Sequence, residues 1–305
     1  MNPEILITSA IAKTSYHTAQ LLLAQGKKIR VLTRKKSEKV EQLASQGADV
    51  AIGDFHDIFS LERSFEGIKK VYFTYPFVPG LLEAASNTAA VAREAGVELL
   101  INMSQIISEK GHQSPATRQH WLSENLFDWA NIGAVHLYPG LFMDNLLVIA
   151  AMTIIQQGKI YLPWADGKHA PLYSGDIGKV IATLLTSPSP NVFVGKKLIL
   201  TGGQSRTMTE ISELIAQIIG RSVAYVNIAD KDWVKAIQAS DSMLNNSQFL
   251  GHAPALSADI RDQKFDVVTS TVQQITGDEP LSLHEFIEQR KALFTSQEAL
   301  QQAIS

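Results

Sequence analysis

Residues 5 to 16, Ile-Leu-Ile-Thr-Ser-Ala-Ile-Ala-Lys-Thr-Ser-Tyr, read as an apolar strand running into a turn of small residues and then a helix. At this place a dinucleotide-binding fold carries glycines, which permit the tight turn, the approach of backbone amides to pyrophosphate and close helix–strand packing. Ser9, Ala12 and Ser15 stand there instead. Each adds only a Cβ or a hydroxyl, so phosphate binding is hindered rather than closed off. An L-residue forced to positive φ costs on the order of 1 kcal/mol. The helix N-terminus still presents unpaired N–H groups to an anion, and Lys13 with the hydroxyls of Ser9, Thr14 and Ser15 adds donors. The alternative is a Rossmann fold whose nucleotide site has been lost, since fold does not imply function.

The elements around this loop must place it at a sheet edge. Apolar runs near 4–8, 28–33, 48–52, 70–75, 98–104 and 134–138 alternate with helical periodicity, which predicts a Rossmann-type, doubly wound parallel sheet of the α/β class. Arg34 closes the second strand and opens a basic run with Lys35, Lys36 and Lys39. The apolar stretch 141–155 is too short to span a bilayer and predicts one buried helix. Segment 160–173, with Pro163, Trp164, Gly167 and Pro171, reads as irregular chain over the sheet. Asp176 is expected to cap a helix reaching Thr186, followed by strands at 197–201 and 223–228. Thr207 with Glu210, and Ser282 with Glu285, have the spacing of capping boxes, the second opening a terminal helix. Residues 296–305 read as a fraying helical tail. This organisation predicts a Rossmann domain over 1–157 and a smaller substrate-side α/β region over 158–305, with 176–201 returning to the sheet.

Composition narrows the function. The 305 residues are 45% hydrophobic and 19% charged with a net charge of −3, which predicts a globular protein without a nucleic-acid or membrane partner. Cysteine is absent, so disulfides and thiolate chemistry are excluded. The start shows no secretory pattern, and cytoplasmic residence is the expectation. The histidines lack metal-ligand spacing, so no metal is expected. There is no Gly-x-Ser-x-Gly elbow and no Walker lysine loop. Gly202-Gly203 reads as a turn.

The order of Ile-Leu-Ile-Thr at 5–8, Val-Leu-Thr-Arg at 31–34, and Gly-Ala-Asp-Val at 47–50 leading to Gly53-Asp54-Phe55 resembles the NmrA-like atypical short-chain dehydrogenases/reductases. So do Tyr-Pro-Gly-Leu-Phe-Met-Asp-Asn at 138–145, Asp176-Ile177-Gly178, Leu200-Thr201-Gly202 and the tail around Phe286. The resemblance covers nearly the whole chain. It implies an NADPH site built by Thr8, Ser9, Ala12, Lys13 and Thr14 at the phosphates, with Arg34 favouring the 2′-phosphate of NADP. Asp54 and Phe55 would flank the adenine, and Thr74, Tyr75 and Pro76 would end the fourth strand at the crevice.

No Tyr-x-x-x-Lys occurs in the chain. By the resemblance, Ser104 stands where the active-site serine or its equivalent sits, and His120 where the lysine or its substitute would lie. An imidazole there is expected to titrate near neutral pH and to anchor a ribose or move a proton. Phe77, Tyr138, Leu141, Phe142, Met143, Tyr161 and Trp164 supply the apolar lining a substrate pocket favours. The leading reading is an NAD(P)H-dependent reductase of a small planar, electron-poor acceptor, quinone-like or dye-like, which takes its proton from solvent. A non-redox cyclase, isomerase or lyase reusing the crevice, or a nucleotide-sensing regulator without turnover, are the alternatives. A monomer or homodimer is expected.

Overall fold

The computed structural model describes residues 3–240 and 242–304. Its strands are β1 (Ile5–Ile7), β2 (Ile29–Thr33), β3 (Asp49–Ile52), β4 (Lys70–Phe73), β5 (Leu99–Met103), β6 (Ala134–Pro139), β7 (Lys159–Leu162), β8 (Lys168–His169), β9 (Lys197–Leu200), β10 (Arg206–Thr207) and β11 (Ala224–Asn227). Seven of them form one parallel sheet in the order β3-β2-β1-β4-β5-β6-β9. Strand order reverses between β1 and β4. Open sheets of this kind bind ligands beyond the carboxyl ends of the strands at that reversal, which is where the loop after β1 lies.

Alternation along the strands builds two cores. Ile5 and Ile7 point into one and Leu6 into the other. The first core is covered by α1 (Lys13–Ala24) and α2 (Glu38–Ser45), the second by α3 (Ile58–Phe65), α4 (Leu81–Glu94) and α5 (Pro115–Ala130). Ser37, Asp57 and Ser114 cap α2, α3 and α5 with their side chains, satisfying first-turn N–H groups.

After β6 the chain differs from the sequence reading. The segment 141–155 is not one helix: it holds α6 (Asn145–Ile149) and α7 (Ala151–Gln157), broken at Ala150, whose φ of −133° leaves the helical region. Segment 160–173 is less irregular than expected. It contributes β7, paired in parallel with β11, and β8, paired antiparallel with β10. The helix α8 (Ser174–Thr186) starts at Tyr173, not Asp176; the Asp176 carboxylate accepts from Leu281 N at 2.7 Å instead. On one sheet face α8 lies against α1. A Cβ on Gly178 would stand 2.8 Å from His17 Cβ, so this approach requires glycine.

The remaining helices are α9 (Met208–Ile219), α10 (Asp230–Gln238), α11 (Ser247–Arg261), α12 (Thr271–Thr276), α13 (Leu283–Gln289) and α14 (Gln297–Ile304). Both expected capping boxes form, at Thr207–Glu210 and Ser282–Glu285. The tail expected at 296–305 is helical as α14, and Ser305 lies outside the described residues. A third core joins α6, α7, β7, α9, α10, α11 and α13 through side chains such as Ile154, Met208, Trp233 and Phe286. No helix among the described residues is long and apolar enough to cross a membrane.

Candidate active site

The loop after β1 is held by its own hydroxyls. Thr8 Oγ1 accepts from Thr74 N at 3.0 Å, and Ser9 Oγ donates to Thr74 O at 2.8 Å, tying the ends of β1 and β4 together. Ser9 sits at φ +49°, the left-handed region that favours glycine. The backbone therefore keeps the glycine turn although the glycine is gone. Ala12 has φ −62° and ψ 141°, which any residue adopts, and it starts α1 without a side-chain cap. First-turn N–H groups of α1 are thus left for an anion.

Two of the expected phosphate donors face inward. Ser15 Oγ donates to Thr8 O at 2.7 Å and the Thr14 hydroxyl pairs with the Tyr72 hydroxyl at 2.7 Å, both buried. A β-branched or polar residue directly above β1 satisfies its hydroxyl downward, so these side chains brace the turn. Lys13 Nζ donates to Asp144 O at 3.4 Å. Desolvation by the surrounding protein holds its amine below the usual lysine range, partly opposed by the Asp144 carboxylate.

At the end of β2, Arg34 is exposed and makes no hydrogen bond or ion pair among the described residues. Asp54 Oδ1 accepts from His56 N at 3.0 Å in a local turn. Phe55 is buried, edge-on to Phe73 at 5.5 Å and to Tyr75 at 5.6 Å. It is core under the crevice rather than an exposed face. Tyr75 donates to Pro79 O at 3.0 Å and meets His56 Nε2 at 3.0 Å, while Pro76 is exposed. Burial pushes the Tyr75 hydroxyl up.

The centre of the site is a residue the sequence reading passed over. Glu124 on α5 is 2% exposed. Its Oε1 accepts from Ser104 Oγ and, at 2.6 Å, from Ser108 Oγ; its Oε2 accepts from the Tyr138 hydroxyl and, at 3.4 Å, from Lys197 Nζ. Ser104, expected as catalytic, and Tyr138, expected as pocket lining, are therefore anchored to one carboxylate. Burial first, and then Glu124, push the Tyr138 hydroxyl far up. His120 and Glu124 are four residues apart on α5, a spacing that puts them on one face. That spacing was the available signal for Glu124.

His120 is partly exposed and none of its ring nitrogens has a hydrogen-bond partner among the described residues. Desolvation pushes its pKa down to about 4, against the pull of Glu124. The expectation of titration near neutral pH is corrected: the imidazole is neutral there because the packed protein penalises its cation.

Of the pocket residues, Phe77 lies at the crevice, edge-on to Phe249 at 5.9 Å and tilted against His252 at 5.1 Å. Leu141 and Phe142 are half-buried against two different cores, and Met143 is buried in the third. Tyr161 is spent on Gln157 Oε1 at 2.8 Å. Trp164 is interior, edge-on to His169 and Trp233, because its segment folds into the third core instead of crossing the sheet. Met143 and Trp164 thus pack into the third core, and Tyr161 pairs beside it on β7. Sequence reasoning also missed α11, which brings Phe249 and His252 to the site, and a buried pair in which His112 Nε2 meets Asp259 Oδ2 at 2.7 Å. Among the described residues no group of three His, Cys, Asp or Glu side chains could hold a metal ion.

The sheet order, the turn after β1 and the open α1 terminus define a Rossmann protein of the dinucleotide-binding type. The chain belongs to the NmrA-like family, whose model matches residues 1–287. The NAD(P)H azoreductase of Xenophilus azovorans is 26% identical over 292 residues, which is 95% of this chain and 99% of that protein. The NADPH-dependent quinone oxidoreductase of Escherichia coli, solved with NADPH, has a TM-score of 0.81 at 19% identity and covers 94% of this chain and 99% of its own. NmrA, a negative transcriptional regulator solved in complex with NADP, has a TM-score of 0.77 at 14% identity over 94% of this chain and 95% of its own.

Proposed function

We propose that the protein is an NADPH-dependent reductase of small, planar, electron-poor acceptors such as quinones and azo dyes. The observation that carries this is Ser9 at φ +49°, which keeps the glycine-type turn beneath an uncapped α1. Residues 9–13 would hold the pyrophosphate, Arg34 the 2′-phosphate, and the chain ends after β4 and β5 the nicotinamide side. Bound there, NADPH supplies a hydride to the acceptor, which completes its reduction with a proton from water. The azoreductase relative and the quinone oxidoreductase neighbour support the acceptor class.

The locked hydroxyls favour such acceptors over simple ketones. Reduction of a ketone leaves a strongly basic alkoxide, which calls for a positioned acid. Here Ser104 and Tyr138 both donate to Glu124, and neither proton is available. A reduced quinone carries a phenolate-like oxygen that water can protonate. NADPH titration by calorimetry, followed by NADPH oxidation with a quinone and with an azo dye, tests the reading. Tight binding without oxidation by either acceptor would leave a nucleotide-binding regulator, and no NADPH affinity at all would overturn the proposal.

A further inference from the structure

Helix α11 closes one end of the crevice through two side-chain bonds to α5. Gln248 Nε2 donates to Gln119 Oε1 at 3.1 Å, and His252 Nδ1 meets Ser114 Oγ at 2.9 Å. His120 follows Gln119, and His252 stands one turn beyond Gln248, so both imidazoles belong to this seam. The Ser114 oxygen also accepts from Thr117 N at 3.4 Å; with its own proton given to His252 Nδ1, the ring proton stands on Nε2. That Nε2 and the two nitrogens of His120 have no partner among the described residues, and none is sealed from solvent. Beside them the Phe77 and Phe249 rings make an aromatic wall.

We propose that His252 Nε2, with His120 beside it, donates to a carbonyl oxygen of a quinone seated against the Phe77 and Phe249 rings, and so sets a preference for quinones over azo compounds. This rests on the reductase reading above. A flat ring stacked on one of these two nearly perpendicular rings meets the edge of the other, and one fixed donor orients it. Both imidazoles are neutral at pH 7, since desolvation holds each near pKa 4, with repulsion from His112 and His120 adding to it at His252. A neutral N–H donor pairs with a neutral carbonyl without burying a charge. An azo compound such as methyl orange offers no carbonyl to this donor.

The test compares the wild type with His252→Leu and His252→Gln, using 2-methyl-1,4-naphthoquinone and methyl orange. Quinone affinity is read by tryptophan fluorescence on protein saturated with NADP⁺, and KM and kcat are measured for both acceptors with NADPH. His252→Leu is expected to raise the quinone dissociation constant and KM by about five- to tenfold, the worth of one hydrogen bond. Its methyl orange KM and its NADPH affinity should be unchanged. His252→Gln keeps a donor and should stay within about threefold of the wild type, showing in addition that packing is intact. Unchanged quinone affinity in a folded His252→Leu protein, or equal losses for both acceptors, would overturn this proposal while the reductase reading stands. Failure of the wild type to oxidise NADPH with either acceptor would overturn both.

Discussion

The Tyr138 hydroxyl donates to Glu124 Oε2, joining the end of β6 to α5 inside the protein. Ser104 and Ser108 use the other oxygen of the same carboxylate. One buried carboxylate is thus the anchoring point for three hydroxyls from two segments, the loop after β5 and β6 itself.

Glu124→Gln leaves one acceptor oxygen where there were two. Whichever way the amide turns, either Tyr138 or the two serines face an NH₂ group. A stability loss of about 1–3 kcal/mol is expected from the stranded donors, read by urea denaturation. Lys197→Ala should cost less than about 0.5 kcal/mol, because that lysine is largely in water and its pairing is screened. A Glu124→Gln protein as stable as the wild type would mean that the cluster does not hold the fold.

Ser9 combines an unfavourable backbone angle with a favourable hydroxyl. Ser9→Ala keeps the strain at φ +49° and loses the bond to Thr74 O, whereas Ser9→Gly loses the bond and the strain together. The alanine variant is expected to be less stable than the glycine variant by about 1 kcal/mol. Thermal or urea unfolding of the two side by side decides this. If the order is reversed, Ser9 does not carry the strain in solution.

Arg34→Ala should weaken NADPH binding about tenfold or more, the range of a charge-assisted hydrogen bond, and leave NADH nearly unchanged. Calorimetry with both nucleotides reads the difference. Equal effects on the two would remove Arg34 from the 2′-phosphate site.

Acid should unfold the protein below neutral pH through its buried histidines. His169 and His252 are held near pKa 4 in the folded protein by desolvation, against about 6.5 in an unfolded chain. Between those values the unfolded state binds more protons, so stability falls as the pH drops from about 6.5 to about 4, by up to roughly 1.4 kcal/mol per pH unit for each group. Above about 6.5 both states are neutral and the contribution is complete. Urea midpoints across this range should become less steep in pH for His169→Leu, and an unaltered slope would show that His169 is not protonated on unfolding.

Much of the sheet was legible because strand–helix alternation is a local signal: all six early strands appear where the apolar runs placed them, and both capping boxes form. The break at Ala150 was not, since residues 146–152 are all apolar and nothing in their pattern marks a kink. Segment 160–173 was read as irregular for a related reason, as Pro and Gly disguise a stretch whose strand pairs with another more than sixty residues later. Glu124 went unnoticed because its partners, Ser104 after β5, Tyr138 on β6 and Lys197 on β9, are brought around it only by the fold. His252 could not be assigned, because only the crossing of α11 over α5 puts it beside His120.

The chain does not finish the sheet before it builds the third core. It leaves after β6, returns for α8 and β9, departs again for α9 to α11, and comes back with α12 against α8 and β9 before α13. Several strands of backbone therefore connect the two parts, and a protease nick in any one of them leaves the others in place. A rigid swing of one part away from the other would have to bend every connection at once. Ligand entry is accordingly expected to use side chains and short loops, such as the turn at 74–80 that carries Phe77, more than a swing of one part from the other.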